Sequence, residues 1–156
     1  MTTRITAPAA YSRIQQQVVP LERYLTSTDL DTNLLHLIKL RASQINGCAY
    51  CMSMHTRDLL KASERIDRIS VLPAWRESTW FTTEERAALA LTEAVTRLTG
   101  QEVPDEVFAA ASAQFNDQQL ADLTLAIATI NVWNRLCITW QVAPDAFTID
   151  PRDPAV

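Results

Sequence analysis

The stretch Gln44-Ile45-Asn46-Gly47-Cys48-Ala49-Tyr50-Cys51-Met52-Ser53-Met54-His55 holds two of the three cysteines, one of the two histidines and one of the two glycines of a 156-residue chain. Two thiols separated by two residues can close a disulfide across one helical turn, and a histidine four residues after Cys51 shares that thiol's helical face. This is redox chemistry. A helix start favours thiolate through its free amides and its dipole, so either cysteine is open to activation: thioredoxin precedent favours Cys48 as nucleophile, whereas the imidazole one turn on favours Cys51. A metal reading stands beside it, with Cys48, Cys51 and His55 as three zinc ligands and a fourth from His36, Asp58 or Cys137. The bland alternative is two small core residues at this spacing by coincidence.

The elements that position these residues read as helices. Two glycines in the whole chain, few β-branched alternations and prolines set between apolar blocks predict an all-α bundle. A first helix is expected over roughly 9–24, with Tyr11, Ile14, Val18 and Leu21 as its apolar stripe and Pro20 kinking or ending it early. Asp31 is a plausible N-cap for a second helix carrying Leu34, Leu35, Ile38, Ala42 and Ile45 up to the turn at Gly47. A third begins near Cys48 and runs to about Ala62, with Cys51, His55 and Asp58 along one side. In such a hairpin His36 and His55 stand at similar heights above the turn and can share a site. His36 also sits with Ser43 at the polar edge of its stripe, where a surface or hydrogen-bonded role is an equal alternative.

Further along, residues 66–79 lose periodicity around Pro73 and are expected to be a structured loop packed by Leu72, Trp75 and Trp80. Thr82 to Glu85 form a capping box for a helix that ends by Gly100. Pro104 opens a short helix ending near Phe115, and Asn116 caps a last one over about 118–140. That last helix is apolar around most of its circumference, which predicts a central or interfacial place. Cys137 lies in it with no thiol nearby in sequence, and a buried inert cysteine is the expectation. Trp133, Asn134 and Arg135 fit either a subunit contact or mutual satisfaction. Residues 143–156 are expected to be a loosely held tail.

Bulk properties narrow the classes. Hydrophobic residues at 47% and charged residues at 21% predict one folded domain over 1–156, and a net charge of -4 offers no electrostatic basis for nucleic-acid or anionic-membrane partners. No secretory leader or membrane span is read, and a CxxC without a disulfide framework fits a cytoplasmic protein.

The run Leu37-Ile38-Lys39-Leu40-Arg41-Ala42-Ser43-Gln44-Ile45-Asn46-Gly47-Cys48-Ala49-Tyr50-Cys51, followed by His55, resembles the AhpD-like alkylhydroperoxidase core of the carboxymuconolactone decarboxylase family. The likeness extends through Leu72 to Glu77, Glu84 to Leu89 and Leu123 to Asn131, so the core spans about 30–140. It implies an all-α, AhpD-like helical bundle with its CxxC at the start of a central helix, assembled as a trimer or hexamer. It also implies cofactor-free reduction of organic hydroperoxides: Cys51 peroxidatic, Cys48 resolving, His55 in the proton relay, and an external dithiol, dihydrolipoyl or thioredoxin-like, as reductant. The family's relay usually has a glutamate twelve residues before the first cysteine, and here that position is His36. The decarboxylase branch does not rest on a CxxC, so the lyase reading is the weaker one. The rival from another class is a redox sensor or a zinc-stabilised oligomeric scaffold.

Overall fold

Asp31 accepts a hydrogen bond from the Leu34 amide at 2.9 Å and so starts the helix around which the others pack. In the computed structural model, which describes residues 3–5, 8–98, 100 and 102–145, the elements are α1 Pro8–Leu25, α2 Thr32–Asn46, α3 Ala49–Lys61, α4 Ile66–Val71, a 3-10 helix Leu72–Glu77, α5 Thr83–Thr96, α6 Asp105–Ser112 and α7 Asp117–Trp140. There is no strand among the described residues. No helix there is long and apolar enough to cross a membrane.

Helix α2 lies against α3, α5 and α7 and supplies all three apolar clusters. Its Leu34, Leu35 and Ile38 meet Leu91, Leu123 and Ile127; Leu37 and Leu40 meet Leu59, Leu72 and Leu89; Ala42 meets Ile130 and the three cysteines. Each of these leucines, removed from water, contributes roughly 1.5–3 kcal/mol. The caps read in the sequence are formed at both later helices: Thr82 with Glu85, and Asn116 with Gln119.

Three expectations need correction. Helix α1 runs through Pro20 to Leu25, because Pro20 and Gln16 both face solvent and water can satisfy the carbonyl that proline leaves unpaired. Its inner face is also different: Val18 and Leu25 are buried, while Ile14 and Leu21 are exposed. Residues 66–77 are helical rather than a loop, held by a Leu72 and Trp75 that are buried as expected; Trp80 is exposed, and Phe81 fills the core instead. Of the expected loose tail, Ala143 to Asp145 are described, and the Asp145 carbonyl accepts from the Ser53 hydroxyl at 3.3 Å; 146–156 lie outside the described residues.

One buried charge cluster ties the 3-10 helix to α2 and α5. Glu93 accepts from Arg41 Nε at 2.7 Å, Trp75 Nε1 at 2.9 Å, Arg76 Nη1 at 2.6 Å and Arg97 Nη1 at 3.1 Å. Burial alone raises a carboxyl's pKa, but the donors from Arg76, Trp75 and Arg41 outweigh it and hold Glu93 at about 2, below its ordinary 4.5. A depressed carboxylate contributes stability that is present above 4.5 and is lost as pH falls through about 2. Glu93→Gln should therefore cost about 3 kcal/mol at neutral pH, because it strands buried Arg41. Urea denaturation checks this: the gap between variant and wild type should close as pH is lowered from 5 toward 2, and a gap indifferent to pH would contradict the assignment.

Candidate functional site

The turn between α2 and α3 sets the site. Gly47 adopts φ 73°, ψ 31°, the left-handed cap that ends α2, and its side is open space, so glycine is needed there for backbone conformation alone. Cys48 is then the N-cap of α3, its Sγ accepting from the Cys51 amide at 3.3 Å. The two cysteines are joined as a disulfide across that first turn, with Cα atoms 5.4 Å apart.

Side-chain amides lock this turn to α7. Asn46 Nδ2 donates to Asn131 Oδ1 at 2.9 Å and to Asn134 Oδ1 at 2.8 Å, and Asn134 Nδ2 donates to the Ser43 hydroxyl at 3.0 Å. Trp133 Nε1 donates to Glu22 at 3.1 Å and Arg135 Nη1 to the Asn131 carbonyl at 3.0 Å. Trp133, Asn134 and Arg135 thus bond Glu22, Ser43 and Asn131 rather than one another.

A cavity of about 300 Å³ opens where α1, α2, α3 and α7 meet. Cys51, His55 and Asp58 line it from α3, His36 and Lys39 from α2, Tyr11, Val19 and Glu22 from α1, and Trp133 and Cys137 from α7. His36 Nδ1 and His55 Nδ1 lie 3.3 Å apart, so one carries the proton and the other accepts it. His55 Nε2 is buried with no hydrogen-bond partner among the described residues. Burial, then the charge of Lys39 and the neighbouring His36, hold His55 well below the usual imidazole range. Burial also lowers His36; Asp58 pulls it back up, and Lys39 pushes it down. Both rings are therefore poised as neutral bases rather than cations.

The metal reading is corrected by this geometry. The candidate ligands fall into two groups among the described residues, Cys48 with Cys51 and Cys137, and His36 with His55 and Asp58. His55 thus groups with Asp58 rather than with the two thiols it was expected to complete. Sequence reasoning also missed Glu22 and Lys39, whose ammonium donates to the Glu22 carboxylate beside the imidazoles. The signal was present: a lysine between Ile38 and Leu40, inside the apolar run of α2, needs a buried counter-charge.

Comparison with known proteins agrees with this architecture. The carboxymuconolactone decarboxylase family model matches residues 13–94. The chain belongs to that family. Within it, the chain is 40% identical over 121 residues to the uncharacterized protein YdfG of Bacillus subtilis, spanning 78% of this chain and 82% of that protein. A solved structure from Agrobacterium tumefaciens, of a protein of unknown function and candidate antioxidant defence protein AhpD, superposes with TM-score 0.89 at 36% identity, covering 94% of this chain and all of that one. An alkylhydroperoxidase AhpD core from Ralstonia eutropha, an uncharacterized peroxidase-related protein, gives TM-score 0.76 at 19% identity over 88% of this chain and 73% of that one, a likeness of fold. The family member has an AhpD-like core.

The two depressed imidazoles carry a consequence for stability. Below the ordinary histidine value of 6.5 the unfolded chain takes up protons that the native site refuses, so stability should fall as pH drops. Chemical denaturation between about pH 7 and pH 5 should show that decline, and a His36→Gln/His55→Gln chain should show a flatter one. Equal slopes would place the rings in a charged, solvated state.

Proposed function

We propose that this family member is a thiol-dependent hydroperoxide reductase in which Cys51 is the peroxidatic and Cys48 the resolving cysteine. The observation that carries the reading is one cavity lined by Cys51, His55, His36 and Asp58, with Cys48 bonded to Cys51 at its edge. The proton path follows from the ring pairing. With His55 Nδ1–H donating to His36 Nδ1, His55 Nε2 is left as a lone-pair base one turn from the Cys51 thiol. Cys51 thiolate then attacks the terminal peroxide oxygen, the O–O bond breaks, and the alkoxide takes a proton to leave as an alcohol. Cys48 attacks the resulting sulfenic acid, forming the S–S bond and releasing water.

Asp58 brings a carboxylate within 4.8 Å of both imidazoles, which offsets the loss of a glutamate at position 36. The walls contributed by Val19, Met54 and Trp133 suit the alkyl group of an organic hydroperoxide. An external dithiol, dihydrolipoyl or thioredoxin-like, resets the disulfide by exchange, a step that suits a reducing, cytoplasmic setting. A trimeric or hexameric assembly is part of this reading, with Phe108 and Val132 exposed on α6 and α7 as apolar surface for it.

Rapid mixing of the reduced protein with cumene hydroperoxide, with thiols counted before and after, tests it. Two of three thiols per chain should disappear, Cys51→Ser should consume no peroxide, and His55→Gln should lower kcat/KM by about 10²–10⁴-fold. Turnover surviving in Cys51→Ser would sink the assignment. One zinc bound per chain with no peroxide consumption would favour the scaffold or sensor instead.

A further inference from the structure

Helix α7 brings the third cysteine to the other two. The ligand-bearing sulfurs of Cys48, Cys51 and Cys137 all lie within 4.8 Å of one another, and all three residues are buried. The placement is held from both sides, since Asn134 is fixed to Ser43 and Asn46, and Trp133 to Glu22, one turn before Cys137. Cys137 also differs from an ordinary core cysteine in what it faces. It lines the cavity that holds Cys51 and His55, and it lines a second cavity of about 760 Å³ on the Cys48 side, bounded by Gly47, Ala49, Gln141 and Val142.

We propose that Cys137 is a second resolving thiol, which condenses with the sulfenic acid on Cys51 when Cys48 is engaged elsewhere. The inference rests on the peroxidatic role of Cys51 argued above. The step is balanced without a further reagent: the Cys137 sulfur attacks the Cys51 sulfur, the S–S bond forms, the S–O bond breaks, and hydroxide leaves as water with the Cys137 proton. Cys48, once free, can attack the Cys51 sulfur of the new disulfide and release Cys137 by exchange. Such a reserve matters when Cys48 is held in a mixed disulfide with the reductant, because an unresolved sulfenic acid is open to irreversible oxidation to sulfinic acid.

Burial sets the order of use. It lifts the Cys137 thiol from 9.0 to about 11, so less of it is thiolate at neutral pH. A two-unit rise cuts the thiolate fraction about 100-fold, and the greater nucleophilicity of the more basic sulfur restores about tenfold, leaving resolution about tenfold slower than by an ordinary thiol. Cys48, which caps the amide end of α3, is the faster resolving thiol whenever it is free.

The test uses Cys48→Ser, which keeps a side-chain N-cap on α3 and so preserves the fold. Reduced Cys48→Ser is treated with one equivalent of cumene hydroperoxide and mapped by peptide mass spectrometry under non-reducing conditions. An intramolecular Cys51–Cys137 disulfide with no thiol remaining supports the proposal, as does its faster formation at higher pH. Cys51 left as sulfenic acid or carried on to sulfinic acid, or an intermolecular Cys51 disulfide, with Cys137 still a thiol while the wild type loses two thiols, overturns it. If peroxide leaves the wild-type thiols intact, the peroxidatic role of Cys51 falls and the resolving role of Cys137 with it. Diamide, which oxidises thiol pairs without peroxide, then separates the causes: a Cys51–Cys137 link puts the failure in the peroxide chemistry, and no link puts it in the sulfur placement as well.

Discussion

The arrangement depends on how the α2–α3 turn is tied to α7. Asn46 has a single side-chain amide, and it donates to Asn131 and Asn134 at once, while Asn134 is itself wholly buried and engaged with Ser43. Buried amides left without partners cost several kcal/mol, so this network tolerates little sliding of α7 along the hairpin. That fixed register gives the site its contents. It sets Cys137 beside the disulfide, and it sets Trp133 where its indole can reach Glu22 on α1. The left-handed Gly47 makes the turn tight enough for Cys48 to become the first cap of α3, where the helix amides face the sulfurs.

Electrostatics around the cavity follow from burial first and then from one buried cation. Lys39 is almost fully covered, and its charge would be prohibitive without the Glu22 carboxylate that α1 carries over the opening. The pair is local enough for the ammonium still to be felt by both imidazoles, and it keeps them uncharged together with burial. Two histidine rings 3.3 Å apart could not both be cations, and a neutral pair passes a proton without separating charge in the low-dielectric interior. Helix α1 thus shapes the cavity although it carries no residue of the CxxC motif.

Legibility in the sequence tracked the range of the interaction. Local signals were sound: Asp31, Thr82 and Asn116 as caps, Gly47 as the turn, and the meeting of His36 with His55, which needs only helix rise and a short connection. Long-range contacts were not visible. Pro20 was read as kinking or ending α1, and the early end did not follow because sequence alone does not say that its side of the helix is solvated. The stripe of α1 was misread in part, because that helix covers a cavity: Tyr11 and Glu22 face it, while Ile14 and Leu21 do not. Cys137 is more than eighty residues from Cys51 in sequence, and only the packing of α7 puts it within reach of the pair. The metal set that placed His55 with the thiols failed for a simpler reason: a shared helical face does not aim two side chains at one point.

The histidine at position 36 makes sense beside Lys39 rather than as an isolated departure from the family pattern. A carboxylate there would stand three residues before Lys39 on the same helix, within pairing distance, and would compete with Glu22 for the ammonium. Winning that competition would strip α1 of the ion pair that fastens it over the cavity and would leave Glu22 with the Trp133 indole alone. A neutral imidazole makes no such claim. It leaves Lys39 to Glu22, accepts or donates at Nδ1 toward His55, and keeps Asp58 as the nearby anion. Negative charge is thus moved from α2 to α1 and α3, and one ion pair both holds α1 over the cavity and, second to burial, helps keep the His55 ring neutral.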